Sequence, residues 1–215
     1  MCGVPFHQGD SYLNKLLKAG HKVAICEQTE TPEESKKRGY NSIIERKVVR
    51  IASPGTLTEE IELDDKGSNY LMSLVAYGEN FGSAWVDIST GEVNCKICKD
   101  FEKLLDIYSN ISPSEVIISN LYFEKNFSDK LLKTMPLTFY NLNLKKQTQL
   151  ISNFEKFYEK NIAFTLKKLS EVETVSLAVI FDYISYTQNG KMPHLKEPTQ
   201  FKNTNLLEID NATKR

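Results

Sequence analysis

The chain has 215 residues, of which 40% are hydrophobic and 26% charged, with a net charge of −1. That length has room for one or two domains with a sizeable core, and that balance is ordinary for a soluble globular protein. No apolar run approaches the roughly 20 residues that cross a bilayer, and residues 1–10 lack the basic stretch and apolar core of a secretory signal, so no membrane partner and a cytoplasmic location are expected.

The four cysteines, Cys2, Cys26, Cys95 and Cys98, are few and scattered, against a disulfide framework. The charge is uneven. Residues 1–56 hold nine Lys/Arg against six Asp/Glu, and the remainder holds 18 against 22. A basic N-terminal part suits phosphate contact; an ordinary solvated surface has the same composition.

In chain order, Tyr12, Leu13, Leu16 and Leu17 recur at helical spacing, predicting a helix over residues 11–19 that Gly20 closes. Residues 23–26 predict a short strand. Residues 29–42, polar and charged around Lys36, Lys37 and Arg38, predict a loop or a frayed helical turn. Residues 46–52 predict a second strand, and Ser53-Pro54-Gly55-Thr56 a turn. Residues 59–68 are acidic and polar, as a linker is.

The next stretch carries the strongest pattern. Strands are predicted over residues 70–77, 81–88 and 92–98, joined by Gly78-Glu79-Asn80 and Ser89-Thr90-Gly91. Connections so short require an antiparallel meander. Asp100 then caps a helix with an apolar stripe of Phe101, Leu104, Leu105, Tyr108 and Ile111, and Pro113 follows its end. A buried strand is expected over residues 115–119, a helix over 128–135, a strand over 137–142 and a buried helix over 172–187, stopped by Gly190 and Pro193. A meander followed by right-handed βαβ crossovers is an α/β arrangement of the ribonuclease H-like kind. Residues 206–215 read as the first turn of a further helix, and residues 3–6 as a loop entering one, so both ends look like interruptions of a longer protein.

That topology raises a metal-dependent nuclease as the alternative function. Such an enzyme needs carboxylates on the first strand, the first helix and the end of the fourth strand. The first strand has none and the fourth ends in Ser119-Asn120; only Asp87, Glu102 and Asp106 are near, too few to hold hard cations. Asp87 instead suits the turn after it, bonding backbone N–H groups. Cys95 and Cys98 form a lone CxxC. A zinc ribbon needs a second pair, and positions three apart on a strand face opposite ways, so these read as core cysteines. His7, His21 and His194 have no metal or triad spacing, and neither GxxxxGK[ST] nor GxGxxG occurs. No catalytic, metal or cofactor residue is therefore expected.

Several segments resemble one family. Gly3-Val4-Pro5-Phe6-His7, Tyr12-Leu13, Lys15-Leu16 and residues 23–28 look like the second half of the MutS mismatch-recognition domain. Residues 45–51 with Pro54-Gly55-Thr56 are similar to its closing strand and exit turn. Residues 85–91 resemble the connector signature of that family, and residues 206–215 its entry to the core and lever helices. The resemblance spans nearly the whole chain in one order. It implies a partial α/β recognition domain over residues 1–56, a linker over 57–68, a connector over 69–203 and the start of the core/lever domain over 204–215.

The resemblance further implies a bacterial protein that clamps double-stranded DNA as a dimer, with ATP and magnesium used by the full-length family in a domain beyond Arg215. The Phe-x-Glu mismatch reader of the family would lie upstream of Met1; Phe123-Glu124 has the wrong spacing. What remains is a non-enzymatic piece that contacts DNA weakly and couples domains. Its implied partners are other MutS domains, a second MutS subunit and, through the connector, other mismatch-repair proteins. Lys36, Lys37, Arg46, Lys47 and Arg50 are the candidates for backbone phosphate contacts, which position a protein without reading bases.

Overall fold

A computed structural model describes residues 3–39, 41–57, 68–119, 135–142, 144–158 and 168–201. The N-terminal unit begins with a 3-10 turn, Phe6–Gln8, running into α1, Gly9–Lys18. Leu13 and Leu17, one helical turn apart, are buried, while Tyr12 and Leu16 point to solvent. Gly20, at φ +81°, closes α1: its N–H bonds to Leu17 O at 2.8 Å and the next N–H, of His21, to Leu16 O at 3.0 Å. Strands β1, Val23–Gln28, and β2, Arg46–Ala52, pair antiparallel and pack on α1 through Val23, Ile25 and Ala52.

Residues 29–42 are not the expected loop or frayed turn. Pro32–Arg38 form a helix, α2. Its start is a complete capping box: Thr31 Oγ1 accepts from Glu34 N at 3.3 Å and Glu34 Oε2 accepts from Thr31 N at 2.8 Å. Pro32 suits the first helical position, and acidic Glu33 and Glu34 at one end with Lys36, Lys37 and Arg38 at the other complement the helix dipole. Polar composition hid a helix whose stability is in its caps.

The second unit is a six-stranded sheet in the order β7-β6-β3-β4-β5-β8. Its strands are β3 (Tyr70–Tyr77), β4 (Asn80–Asp87), β5 (Glu92–Cys98), β6 (Glu115–Ser119), β7 (Leu137–Tyr140) and β8 (Thr199–Gln200). The first three form the expected meander, while β6, β7 and β8 join in parallel. Gly78, at φ +63°, makes the two-residue loop from Tyr77 to Asn80 possible. Strand β7 ends at Tyr140, not at the expected residue 142, though Leu142 remains buried.

Both faces of the sheet are covered. On one, α4 (Leu144–Phe157) and α5 (Glu171–Thr187) pack on Leu71, Val75, Ala84, Val86 and Ile117. On the other, α3 (Phe101–Ile111) packs on Met72, Leu74, Trp85, Val116 and Ile118. Burial on both sides is why β3 and β6 read as nearly continuous apolar runs. Asp100 caps α3 as expected, accepting from Lys103 N at 2.9 Å. Ile107, absent from the expected apolar stripe, is buried alongside Leu104. The expected helix over residues 128–135 lies outside the described residues except for Met135, as do most of the 57–68 linker and the whole 204–215 segment.

Candidate phosphate-contact residues and a buried carboxylate junction

The five basic candidates are divided by the fold. Lys36 and Lys37 are exposed on the last turn of α2. The next cation, Arg38, is already engaged, paired with Glu30 and donating to Ile43 O at 3.2 Å. On β2, Arg46 and Lys47 are exposed and Arg50 is half-buried.

A β-bulge decides which of these share a side. Ile25 pairs with Arg50 but Cys26 pairs with Val48, so Val49 is an extra residue with no partner. Plain alternation would put Arg46 and Arg50 on one face and Lys47 on the other. With the bulge, Lys47 (opposite Glu27) and Arg50 (opposite Ile25) share the face that packs on α1, and Arg46 (opposite Gln28) takes the other. The contact of Lys47 Nζ with Glu45, 3.4 Å between largely exposed groups, holds little energy and leaves the ammonium available to solvent anions.

The lone CxxC straddles the sheet as its spacing requires. Cys95 belongs to the α5-side core and Cys98 to the α3-side core. Burial pushes the Cys95 thiol up to about 12 and the Cys98 thiol up to about 11. Among the described residues no group of three or more His, Cys, Asp or Glu side chains is placed to hold a metal ion. Iodoacetamide at neutral pH is expected to label exposed Cys26 in the native chain and to reach Cys95 and Cys98 only on unfolding. Peptide mass spectrometry checks this; rapid native labelling of Cys95 would contradict the burial.

Asp87 does what the turn after it needs. Its Oδ1 accepts from Ser89 N at 2.9 Å, Ser89 Oγ at 2.6 Å and Thr90 N at 3.3 Å. Gly91, at φ +72°, closes the turn, with His194 O only 2.6 Å from where a Cβ would stand.

Among the described residues, the most heavily bonded side chain was not one of the candidates. Glu115, at the head of β6, is 1% exposed. Its Oε2 accepts from Ser53 Oγ and from Gly55 N at 3.1 Å. Its Oε1 accepts from Thr138 Oγ1 at 2.6 Å and Tyr183 Oη at 2.7 Å. Two donors on each oxygen use the full accepting capacity of a carboxylate. Lys22 adds an ammonium 3.8 Å from Oε1 and 5.5 Å from the Tyr183 ring centroid. Burial lowers the Lys22 pKa, and Glu115 works against that shift. Burial, then Glu115, raises the Tyr183 pKa well above the usual phenol range, so its hydroxyl stays a donor. One sequence signal was there: a carboxylate leading Val116-Ile117-Ile118, a strand buried on both faces.

The MutS domain I family model matches residues 1–61, and the MutS domain II model matches residues 69–196. This chain belongs to the MutS family. It is 35% identical to a DNA mismatch repair protein MutS of Wolbachia pipientis wMel, covering 100% of this chain and 25% of that protein. It is similar to the proteins of the same name from Ehrlichia chaffeensis (36% identical, 100% and 27% covered) and Bartonella henselae (38%, 100% and 24%). The chain thus spans about a quarter of the length of the curated relatives it matches. In these terms β1 and β2 fall in the MutS domain I match and β3 to β7 in the domain II match, so Glu115 takes donors from both. The Phe-x-Glu spacing of the MutS mismatch reader does occur once, at Phe157-Tyr158-Glu159. It lies in the domain II match, where the Phe157 ring is packed 5.4 Å from that of Phe181 and 5.0 Å from that of Tyr158. That ring belongs to the aromatic cluster on the α5 side of the sheet.

Proposed function

We propose that the chain supplies, within a mismatch-repair protein, the DNA-side end of the recognition domain (residues 1–56), a linker (57–68), the connector (69–203) and the first residues of the core/lever domain (204–215). Its work is phosphate contact and mechanical coupling, with no reaction catalysed. The connector is of the ribonuclease H-like kind, a reading supported by the order β5-β4-β3-β6-β7 with a meander first and parallel strands after. The nuclease alternative is disfavoured because β3 holds no Asp or Glu and β6 ends in Ser119, so neither strand brings a carboxylate to the place where such an enzyme needs one. ATP and magnesium belong, on this reading, to domains of the full-length protein beyond these residues. A second subunit and other repair proteins would meet the connector or its neighbours, in the bacterial cytoplasm. No helix among the described residues is long and apolar enough to cross a membrane.

The observation that carries the proposal is continuity. Strand β2, which holds Arg46, Lys47 and Arg50, runs through Ala52 into the Ser53–Thr56 turn, and that turn is buried on the large sheet. A load applied at the phosphates is delivered to the connector with no slack segment between.

Binding by the chain should be salt-sensitive and indifferent to mispairs. Each phosphate contact contributes a slope of about −0.9 in log K against log salt. The double change Lys47→Ala with Arg50→Ala is expected to reduce that slope by about two. A G·T-mismatched duplex should bind within about tenfold of homoduplex, since no wedge residue among those described is placed to unstack a base step. Titrations with fluorescent duplexes across a salt series test both. Salt-independent binding, or a slope unchanged by the double substitution, would overturn the phosphate-contact assignment.

A further inference from the structure

Both ends of the β1–β2 hairpin converge on one side chain. Lys22 immediately precedes β1 and Ser53 immediately follows β2; their neighbours Val23 and Ala52 are paired across the ladder. All the N-terminal contacts of Glu115 come from these two flanks: the Lys22 ammonium, the Ser53 hydroxyl and the Gly55 N–H. Its other two donors stand on β7 and α5.

The turn itself is built to sit there. Thr56 Oγ1 accepts from Ser53 N at 2.9 Å and Thr56 N donates to Ser53 O at 3.0 Å, so the loop is closed by its own hydrogen bonds. Asn69 Nδ2 holds Pro54 O at 3.0 Å from the sheet side. Gly55 is pressed so close that a Cβ would stand 2.6 Å from Leu71 Cδ1 and 2.9 Å from Glu115 Cβ. Only a residue without a side chain lets the backbone N–H reach the carboxylate.

We propose that Glu115 is the positioning residue of the joint between the two units: it holds the exit turn in one orientation on the connector, so that movement of β2 is passed to β6, β7 and α5 together. The inference rests on the coupling reading above and names the atoms through which coupling runs. An apolar replacement removes the acceptor for Gly55 N–H. A glutamine keeps it, because its amide oxygen can face Gly55 while the Thr138 and Tyr183 hydroxyls rotate to accept from its NH2.

Hydrogen exchange on the full chain, without DNA, tests this. In Glu115→Leu the amides of residues 55 and 56 should exchange about tenfold faster or more, while those in the centres of β3 and β4 keep their protection. Glu115→Gln should stay within about threefold of the parent, a rescue that a space-filling role would not give. Gly55→Ala should loosen the same amides while residue 115 remains glutamate, and it decides the matter if Glu115→Leu does not fold. Unchanged turn amides in both Glu115→Leu and Gly55→Ala would overturn the proposal, as would equal loss of protection throughout the sheet, or a glutamine variant no better than leucine. Turn amides already open in the parent chain would instead overturn the coupling reading itself.

Discussion

Replacing Glu115 with alanine is expected to lower the stability of the chain by about 3–5 kcal/mol, because the substitution removes the acceptor that four donors share. Each buried donor left unpaired costs roughly 1–3 kcal/mol, so four would cost about 4–12 kcal/mol if nothing relaxed. Three things hold the loss down. Ser53 Oγ lies 3.0 Å from Thr56 Oγ1 and keeps that bond. Lys22, 41% exposed along its side chain, turns back to water. Water entering the space left by the carboxylate serves the two remaining hydroxyls. Urea unfolding followed through Trp85, the single tryptophan and 1% exposed, gives the number directly. A loss below about 1 kcal/mol would mean that the four bonds are replaced at little cost and that Glu115 is not a hub of the fold.

The second large effect is expected at Gly82, where α5 lies closest to the sheet. A Cβ there would meet Ser176 Oγ at 2.4 Å, Val172 O at 2.8 Å and Val172 Cγ2 at 2.9 Å. Gly82→Ala should therefore destabilise by about 2–3 kcal/mol, the upper part of the range for an inserted methyl, since one of the atoms in its way is helix backbone. Ser176→Ala removes the nearest of the three but leaves Val172 O, which Ser176 Oγ bonds at 2.7 Å. Combining the two substitutions should recover less than half of the loss. Denaturation midpoints of the two single variants and the double variant close the cycle. A Gly82→Ala variant within about 0.5 kcal/mol of the parent would show that α5 shifts freely over β4, contrary to the close fit described.

Most of the large sheet could be read from the chain because the signals are local. The bounds of β3, β5, β6 and α3 fall where apolar runs, turns and the Asp100 cap put them. The Asp87 turn and the opposite-facing cysteines follow from spacing alone, since each depends on residues two or three apart. Helix α2 was equally local. Thr31-Pro32-Glu33-Glu34 is a capping signature, although the charged run that follows has the composition of a loop.

The rest depended on partners far along the chain. Where Arg46, Lys47 and Arg50 face is set by the bulge at Val49, and a bulge exists only in relation to the opposing strand, some twenty residues away. Strand β8, two residues long, has no periodicity to detect and is a strand because Asn94 and Cys95 offer an edge. Glu115 shows the division most plainly. By itself the chain determines that a carboxylate heads an apolar strand, and burying such a group without partners is too costly to occur. Which partners it takes was decided only by folding, which brings Ser53 and Gly55 from about 60 residues before it and Tyr183 from 68 after it to the same two oxygens. Local chemistry states the requirement; the tertiary structure alone, by closing those long separations, supplies the donors that meet it.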